Sequence, residues 1–469
     1  MLSRAEYIRR KRFPMDPIVA EIIEIIKKMA DSISREKELH IWLTKIVMEK
    51  IGKAMEIIDG ELAEKYKEKG YWVERRDKRS IQCVFGELVY QRRLMKAEGK
   101  RSVYPLDKEL GIEAYQRNTT YMEWKIAQVA SQSTYRNTAA AVNVLTAISV
   151  SHQTVGNIVE KVGKRYTQWQ ERTDEGTKKA AQVLCIEGDG IIISGQGKKK
   201  REIHRFQVAE RVEENGNRRA LKGRYCFASY NRKQAARQMK KYMAGCYDLG
   251  KCLVLSNSDG GSGYGKEIFD EIAEGCMKHE HFRDRYHVNQ KIKKRLSFAM
   301  PEVKKVVEKG ILDYNWDEVT VGLDTAESCA ENEEEIKQIE KLRSYIKRNW
   351  DYIKPMKERG IEKRIAGIGS CESNHRIYSY RMKKQGRRWG EKGGTGMIQV
   401  ITGMKNGDLA QALLEGGMRT NKKTSRTFQS AVGKTLKKLK NVHIGVHLGG
   451  IANYGSSRSA AAHLARIFG

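Results

Sequence analysis

The sequence predicts an α/β protein in which a sheet with flanking helices carries an all-α insertion and follows a mainly helical N-terminal region with a β-hairpin. Three observations predict this class. Apolar, β-branched runs alternate with helical segments over residues 181–300. Apolar residues recur at helical spacing over residues 15–70. Residues 301–364 form a long, richly charged helical stretch without strand signals.

The charge of the chain defines its class of partner. Its 469 residues include 89 Lys+Arg and 58 Asp+Glu, which gives a formal net charge of +31. Such a surplus needs a soluble polyanion, and nucleic acid is the obvious one. No run of about 18 uncharged apolar residues is present, which excludes an integral membrane protein, and the N-terminus lacks the apolar core of a signal peptide. Eight scattered cysteines without a CxxC pair are typical of reduced thiols in a cytoplasmic protein.

The N-terminal part is predicted to be helical over residues 15–70. Its apolar stripe packs either inside the fold or against a second subunit. Residues 80–97 then predict a β-hairpin that turns near Gly86, because β-branched and aromatic residues occupy both arms. The second arm is basic through Arg92, Arg93 and Lys96.

Residues 115–164 return to a helical pattern. A small-residue helix over 134–144, a turn over 145–150 and a second helix over 151–162 have the layout of a helix-turn-helix. The first turns of the second helix offer polar groups for DNA from His152, Gln153, Thr154 and Asn157. The alternative is an ordinary αα-hairpin in a helical domain.

From residue 181 the pattern changes to strands. Strands are predicted at 181–194, 203–212, 221–230, 251–259 and 281–285, with helices at 231–247, up to about 276, and from near His287. The charged helical stretch interrupts this layer as an insertion, and a new helix begins at Cys371. Beyond Gly416 the tail contains basic residues and no acids.

Three carboxylates are distinguished by their context. Asp189 lies inside an apolar strand with Glu187 two residues earlier on the same face. Asp259 ends another apolar strand, and Glu372 begins a helix with His375 one turn later. Acids at strand ends suit hard divalent cations, and two such ions activate a nucleophile and stabilise the leaving oxygen of a phosphodiester. The alternative is that each acid merely caps a turn or a helix.

Four sequence blocks carry a family resemblance. They are CIEGDG at 185–190, SNSDGG at 256–261, RDRYHVNQKI at 283–292 and CESNHRIYSYRMKKQGRRW at 371–389. In this order, with a helical insertion between the third and fourth, the sequence resembles the ISLre-type bacterial insertion-sequence transposases of the DDE superfamily. The resemblance runs from the hairpin to about residue 400. Asp284 and His287 match the D/C-x-x-H signature of related groups.

The resemblance implies an RNase H-like catalytic core whose Asp–Asp–Glu triad binds two Mg²⁺ ions, for which Mn²⁺ substitutes. Asp189, Asp259 and Glu372 match the triad and would be both the metal ligands and the catalytic residues. The implied partners are double-stranded DNA, as terminal inverted repeats and as target, and further copies of the chain in at least a dimer. The implied location is the bacterial cytoplasm, at the nucleoid.

The resemblance also assigns supporting residues. Asp284 and His287 would support the active site or contact the DNA end, whereas the alternative is a capped basic helix. The residues expected to hold phosphates after the glutamate are Arg376, Arg381, Lys383 and Lys384. Many DDE enzymes carry a basic residue seven positions after the glutamate. Here that position is Ser379, so Arg376 or Arg381 would substitute.

The function expected from this resemblance is a DNA transposase that cleaves and joins strands by two-metal phosphoryl transfer. The alternatives are a catalytically silent DNA-binding protein derived from a transposase and a metal-dependent nuclease without joining activity. The expected domain order is a helical oligomerisation region (1–75), a hairpin and helix-turn-helix region that binds DNA ends (76–180), the first part of the core (181–300), the helical insertion (301–365), the glutamate helix (366–415) and the basic tail (416–469).

Overall fold

The computed structural model describes residues 16–171, 178–215, 218–361, 368–369, 375–384 and 386–417. Within these ranges, no helix combines the length and the apolar composition that a membrane span requires. The basic tail and Glu372 lie outside the described residues. Of the described cysteines, 185, 226 and 252 are buried and none forms a disulfide.

The N-terminal region contains two helices rather than one. Helix α1 spans Pro17–Lys28 and helix α2 spans Ser32–Lys67. Asp16 caps α1 by accepting the backbone N–H of Ile18, and Pro17 occupies the first helical position, where its missing N–H costs no hydrogen bond. The predicted continuous helix over 15–70 is wrong at residues 29–31, where the chain is extended at Met29 and Asp31 caps the next helix.

The predicted hairpin is confirmed, with a longer first arm. Strands β1 (Trp72–Cys83) and β2 (Gly86–Lys96) pair antiparallel and turn at Gly86, whose φ is +137°. Because the side-chain pattern of the first arm is polar on both faces, its start at Trp72 carries no strand signal. The hairpin packs on α2, where a side chain at Gly52 would collide with the carbonyl of Val89.

Four helices follow the hairpin. They are α3 (Pro105–Leu110), α4 (Thr120–Ala130), α5 (Tyr135–Leu145) and α6 (His152–Gln170). The two helices and the turn predicted over 134–162 are confirmed, with Thr134 and Ser151 as the two N-caps, whereas their use as a DNA-binding motif stays a prediction. Helix α6 continues past residue 162 because its buried apolar face, which includes Val162, extends to Tyr166.

A five-stranded mixed sheet forms the centre of the next region. Its strands are β3 (Val183–Ser194), β4 (Lys200–Ala209), β7 (Tyr225–Ser229), β8 (Leu253–Ser258) and β9 (Lys278–Arg283), in the order β7-β4-β3-β8-β9. Strand β4 is antiparallel to β3 and β7, whereas β8 is parallel to β3 and β9. The α/β class with a mixed sheet is therefore confirmed.

The predicted strands at 203–212 and 221–230 are each divided. The end of the first predicted strand and the start of the second belong to a separate two-stranded ribbon, β5 (Arg211–Asn215) with β6 (Arg218–Lys222). In the second predicted strand the division falls at Gly223, whose φ of +61° bends the chain out of the ribbon. The last strand also differs from its prediction, because Asp284 ends it by capping the following helix.

Helices cover both faces of the sheet. The cover consists of α7 (Arg232–Cys246), α8 (Lys266–Ile272), α9 (Arg285–Arg295), the short α14 (Arg376–Tyr378) with a π-helical turn over Ser379–Lys383, α15 (Glu391–Asn406) and α16 (Leu409–Gly417). One core contains Ile191 and Ile203 from the sheet with residues of α6 and α15. The core on the opposite face contains Phe206 with residues of α7 and α8.

The predicted helical insertion is confirmed through residue 353. It comprises α10 (Pro301–Leu312), α11 (Trp316–Ser328), α12 (Glu333–Arg348) and α13 (Trp350–Ile353). These helices share a core with Val288 and Ile292 of α9 and with Leu296, the C-cap of that helix. The insertion is therefore anchored to the sheet region by apolar packing along α9.

His281 of β9 makes the stability of this region pH-dependent. The side chain is buried, its Nδ1 lies 2.7 Å from Oγ of Ser256, and its ring stacks on Phe269. Burial and the nearby Arg283 lower the pKa of His281 to about 3. The unfolded chain binds this proton below about pH 6.5, so the free energy of unfolding falls as the pH decreases from there towards 3.

We expect the titration of this histidine alone to lower the free energy of unfolding by about 2 kcal/mol when the pH falls from 7 to 5. Urea unfolding at both pH values measures the loss. His281→Phe removes the titrating group while keeping an aromatic ring, so the difference between the two pH values should shrink by about that amount. An unchanged difference in the variant would contradict the assignment.

Candidate active site at the ends of the central strands

Asp189 lies within β3, and Asp259 directly follows the neighbouring strand β8. In the parallel pair of β3 and β8, Glu187 lies beside Asn257. Asp189 stands two residues after Glu187 on the same face of β3, and Asp259 comes two residues after Asn257, beyond the last residue of its strand. Both carboxylates act on the pKa of His287, which places all three in one electrostatic neighbourhood.

Each of these aspartates is oriented by local backbone. Oδ1 of Asp189 accepts the N–H of Gly190, and Oδ1 of Asp259 accepts the N–H of Gly261, both at 2.7 Å. Asp189 is partly accessible, with 18% of its side chain exposed. These contacts fix each carboxylate relative to the backbone that follows it.

Glu187, the competing acid of the first strand, is buried in a polar network. Its Oε2 accepts Nε2 of Gln207 at 2.6 Å, and its Oε1 accepts Nδ2 of Asn257 at 3.1 Å and the backbone N–H of Gly369. Three donors therefore hold a carboxylate that is 1% exposed. Glu187 is therefore a buried acid held by hydrogen bonds, and Asp189 is the accessible one of the two acids in β3.

Arg205 is a site residue that sequence reasoning missed. It lies opposite Asp189 in the pairing of β3 with β4 and is fully buried. Its guanidinium donates to Oε1 of Gln207, whose amide in turn bonds Glu187. The available signal was the polar pair Arg205 and Gln207 in an otherwise apolar strand segment.

His375 lies next to Asp189, as its predicted supporting role requires. Its Nδ1 is 3.6 Å from Oδ2 of Asp189, and the side chain is 5% exposed. Burial, together with the charges of Arg205 and His287, lowers the pKa of His375 to about 3. The imidazole is therefore neutral at neutral pH and does not cancel the charge of the aspartate.

Asp284 and His287 form the predicted pair at the start of α9. Asp284 caps the helix by accepting the N–H of Tyr286 at 2.9 Å, and its Oδ2 lies 3.3 Å from Nδ1 of His287. This contact raises the pKa of His287, which the charges of Asp259 and Asp189 raise further against the effect of burial. A protonated His287 would place a cation beside the two aspartates.

The described residues provide two of the three predicted metal ligands. Asp189 and Asp259 present oxygen ligands, the type that Mg²⁺ prefers, from adjacent strands. Glu372 lies outside the described residues. Within the described ranges, no group of three or more His, Cys, Asp or Glu side chains is placed to hold a metal ion. The donor chemistry fits a divalent cation, and the full ligand set would include the glutamate.

The predicted phosphate contact of Arg381 is wrong. Its side chain is 1% exposed, Nε donates to the carbonyl of Ala130 at 2.7 Å, and the guanidinium stacks near Tyr135 and Trp389. Burial lowers the pKa of Arg381 to about 10, so it remains charged while joining α4, α5 and the π-helical turn. A long cation with a planar head stabilises this junction by hydrogen bonding and stacking.

The predicted DNA contacts of Arg92 and Arg93 are replaced by contacts inside the N-terminal region. Arg92 is buried, pairs with Asp107 and stacks over the ring of Tyr104. Arg93 pairs with Asp59 of α2 at 2.7 Å. The hairpin arm is therefore neutralised by acids distant in sequence, and these two arginines hold it to the helices.

Other predicted DNA-contacting residues are accessible. Gln153 is exposed on the first turn of α6, and Thr154 is half-buried beside the cap Ser151. Of the residues predicted to hold phosphates after the glutamate, the exposed ones are Arg376, Lys383 and Lys384. No structural observation assigns them a protein partner among the described residues, which leaves their predicted phosphate contacts as predictions.

Comparison with known proteins identifies the family. A family profile described as Uncharacterised protein family (UPF0236) matches residues 32–416. A UPF0236 protein in the vanSb 3′ region of Streptococcus gallolyticus is 33% identical over 424 residues, which cover 90% of this chain and 92% of the relative. A UPF0236 protein of Caldanaerobacter subterraneus subsp. tengcongensis, whose name joins eleven locus designations, is 24% identical over 442 residues, or 91% of this chain and 88% of the relative. The chain belongs to the UPF0236 family.

Proposed function

We propose that the protein is a DNA transposase of an insertion sequence, of the ISLre type within the DDE superfamily. The observation that carries the proposal is that Asp189 in β3 and Asp259, directly after the adjacent parallel strand β8, both act on His287. Numbered along the chain, the five strands are ordered 3-2-1-4-5, with the second antiparallel to the first. This order and strand direction support the RNase H-like core that the family resemblance implies.

A divalent cation completes the proposed site. Asp189 and Asp259 would hold Mg²⁺ together with Glu372. When bound, the ions supply charge stabilisation to the phosphodiester and lower the pKa of the attacking water. The chain's own contribution is to fix one carboxylate within β3 and the other directly after β8, because small displacements of such groups are costly to the rate.

The surrounding residues restrain Asp189 and shape the electrostatic environment of both carboxylates. Neutral His375 restrains Asp189 without pairing its charge, and Arg205 lies beneath it in a buried polar network. His287 lies beside both aspartates, where its protonated form would favour an incoming phosphate. These roles are positional and electrostatic, which is how most phosphoryl-transfer sites work.

The proposed reaction has two displacements at phosphorus. Water attacks a phosphodiester at the element's end, and the bond to the 3′ oxygen breaks to release a 3′-OH and a 5′-phosphate. That 3′-OH then attacks a phosphodiester of target DNA and displaces its 3′ oxygen. Both ends must be held together, so we expect a homo-oligomer of at least two copies.

Charge and family context support a DNA substrate. The net charge of +31 favours sequence-independent attraction to phosphates. One relative's name joins eleven locus designations from a single strain. A gene repeated at many loci of one genome is the pattern expected of a mobile element.

The direct test is a cleavage assay on labelled duplexes that carry the inverted repeats flanking the gene. The full chain is incubated with Mg²⁺, and with EDTA as control. We expect cleavage at the repeat end followed by joining to a second duplex. Cleavage without joining would indicate the nuclease alternative, and tight binding without any cleavage in Mg²⁺ or Mn²⁺ would indicate a silent DNA-binding protein.

A further inference from the structure

A group of cations lies between the sheet and the helical insertion, immediately beyond Asp259. Arg283 ends β9, and its guanidinium occupies the space next to Gly260, where any side chain would collide with it. Its Nε donates to Oδ1 of Asn349 at 2.9 Å, and Nη1 lies 3.4 Å from Oγ of Ser258. Arg283 is therefore fixed against the loop that carries Asp259.

Lys291 joins this group from helix α9. It lies one turn after His287 on the same helical face, and its Nζ is 3.9 Å from the ring centre of Tyr345 in the insertion. Burial lowers the pKa of Lys291, and the charges of Asp259 and Arg283 both act on it. Within the described ranges no carboxylate comes within 4.0 Å of this ammonium.

Tyr345 supplies an unused hydrogen-bonding group at the same place. The side chain is 8% exposed, yet its hydroxyl has no hydrogen-bond partner among the described residues. The charges of Arg283, Asp259 and Arg348 all act on this phenol. A buried hydroxyl without a partner is costly, and a polar ligand that reached this hydroxyl beside Lys291 would remove that cost.

The charge balance indicates the sign of that ligand. The charges that act on Lys291 include Asp259 and three cations, Arg283, Arg295 and Arg348. Gathering like charges in a partly buried region is unfavourable unless an anion compensates. An anion with several acceptor oxygens would satisfy a guanidinium, an ammonium and a phenol together.

We propose that Arg283, Lys291 and Tyr345 form a binding subsite for one backbone phosphate of the DNA, next to the phosphodiester that is cleaved. This inference rests on the proposed function and deepens it. The position favours a phosphate of the bound strand over a free one, because Arg283 contacts the loop residue that follows Asp259. The subsite would act as a positioning site, provided jointly by the sheet, α9 and the insertion.

The subsite also accounts for the basic residue that this chain lacks after the glutamate. That position is Ser379, and one of its two expected substitutes, Arg381, is buried in a structural junction. Lys291 on α9 instead lies near enough to Asp259 for the charge of that aspartate to act on its pKa. A cation near Asp259 can therefore come from α9, the helix before the insertion.

The experiment couples a protein change to a single phosphate. Binding of a fluorescein-labelled duplex carrying the terminal repeat is followed by anisotropy in EDTA, and each phosphate near the cleavage point is replaced in turn by an uncharged methylphosphonate. For the wild type, one position should weaken binding by about tenfold, as expected for a charge-assisted hydrogen bond. In Lys291→Gln and in Tyr345→Phe the same replacement should have markedly less effect.

Lys337→Gln is the matched control. Lys337 is an exposed residue of the insertion that pairs with Glu333, so the variant loses the same charge elsewhere. In this variant the methylphosphonate should weaken DNA binding as much as it does in the wild type. If Lys291→Gln and Lys337→Gln respond alike at every position, the subsite is contradicted. Tyr345→Phe removes only a hydroxyl, and thermal unfolding of each variant verifies its fold.

Further outcomes separate this inference from the proposed function and from a free anion. Coupling at one phosphate without any Mg²⁺-dependent cleavage would support the subsite and contradict the transposase proposal. Mg²⁺-dependent cleavage without coupling at any phosphate would support the transposase proposal and contradict the subsite. If inorganic phosphate raises the Tm of the wild type but not of Lys291→Gln, and no DNA position couples, the site binds free phosphate and the DNA assignment is overturned.

Discussion

Replacing Asp189 with asparagine is expected to reduce strand cleavage by about three powers of ten or more, because a metal-ligand carboxylate supplies several kcal/mol of transition-state stabilisation. Asparagine has the same shape, and its amide oxygen can still accept the N–H of Gly190. The fold and the binding of DNA ends should therefore be retained. Cleavage of a labelled repeat duplex measures the rate, and anisotropy in EDTA measures end binding.

Glu202→Gln is the matched control for this variant. Glu202 lies on β4, and the pairing of β3 with β4 places it on the face of the sheet opposite Asp189. It is exposed, so the substitution removes one carboxylate near the same strands at little structural cost. The control should cleave at the wild-type rate. Normal cleavage by Asp189→Asn would rule out the proposed role of this residue.

The second large effect concerns stability, at the crossing of α6 and α15. A side chain at Gly163 would meet the carbonyl oxygen of Gly396 at 2.5 Å and its Cα at 2.6 Å. The two helix backbones are therefore in direct contact. Gly163→Leu must push the helices apart, and we expect a loss of about 3 kcal/mol in the free energy of unfolding, as for a severely overpacked core. Urea unfolding measures it.

Gly156→Ala, on the same helix, should have the opposite sign. Its new methyl group would lie 3.5 Å from the ring of Tyr135, an ordinary contact distance. Because alanine is favoured over glycine within a helix, we expect a gain of roughly 0.5–1 kcal/mol. Equal stability of the two variants would show that the helices do not meet at Gly163 as described.

Local signals were sufficient to predict most elements of the fold. Thr134, Ser151 and Asn231, the first residues of the helical segments predicted at 134–144, 151–162 and 231–247, each cap a helix with a side-chain oxygen. The apolar strands at β3 and β8 and the helical insertion were likewise predicted, because hydrophobic periodicity depends only on neighbouring residues. Where a strand was polar on both faces, as in β1, its start was missed.

The roles of individual charges were less predictable. Arg92 and Arg381 had the residue type and context of phosphate contacts, yet Asp107 pairs with the first and Ala130 accepts a hydrogen bond from the second. Arg205 showed the reverse, since a buried arginine under the site carries no distinctive motif. The partner of a long cation is chosen by tertiary packing, so residue type alone does not say whether it faces solvent.

The sequence by itself determined the α/β class, the order of the elements, the excess positive charge and the identity of the acids at the strand ends. Only the tertiary structure decided that β3 and β8 are neighbours, which brings Asp189 and Asp259 together and leaves Glu187 buried in hydrogen bonds. It also decided which cations are bound within the fold and which gather at Arg283 and Lys291. The physical reason is that strand periodicity and capping act over a few residues, whereas pairing, burial and charge compensation join residues that are far apart in the chain.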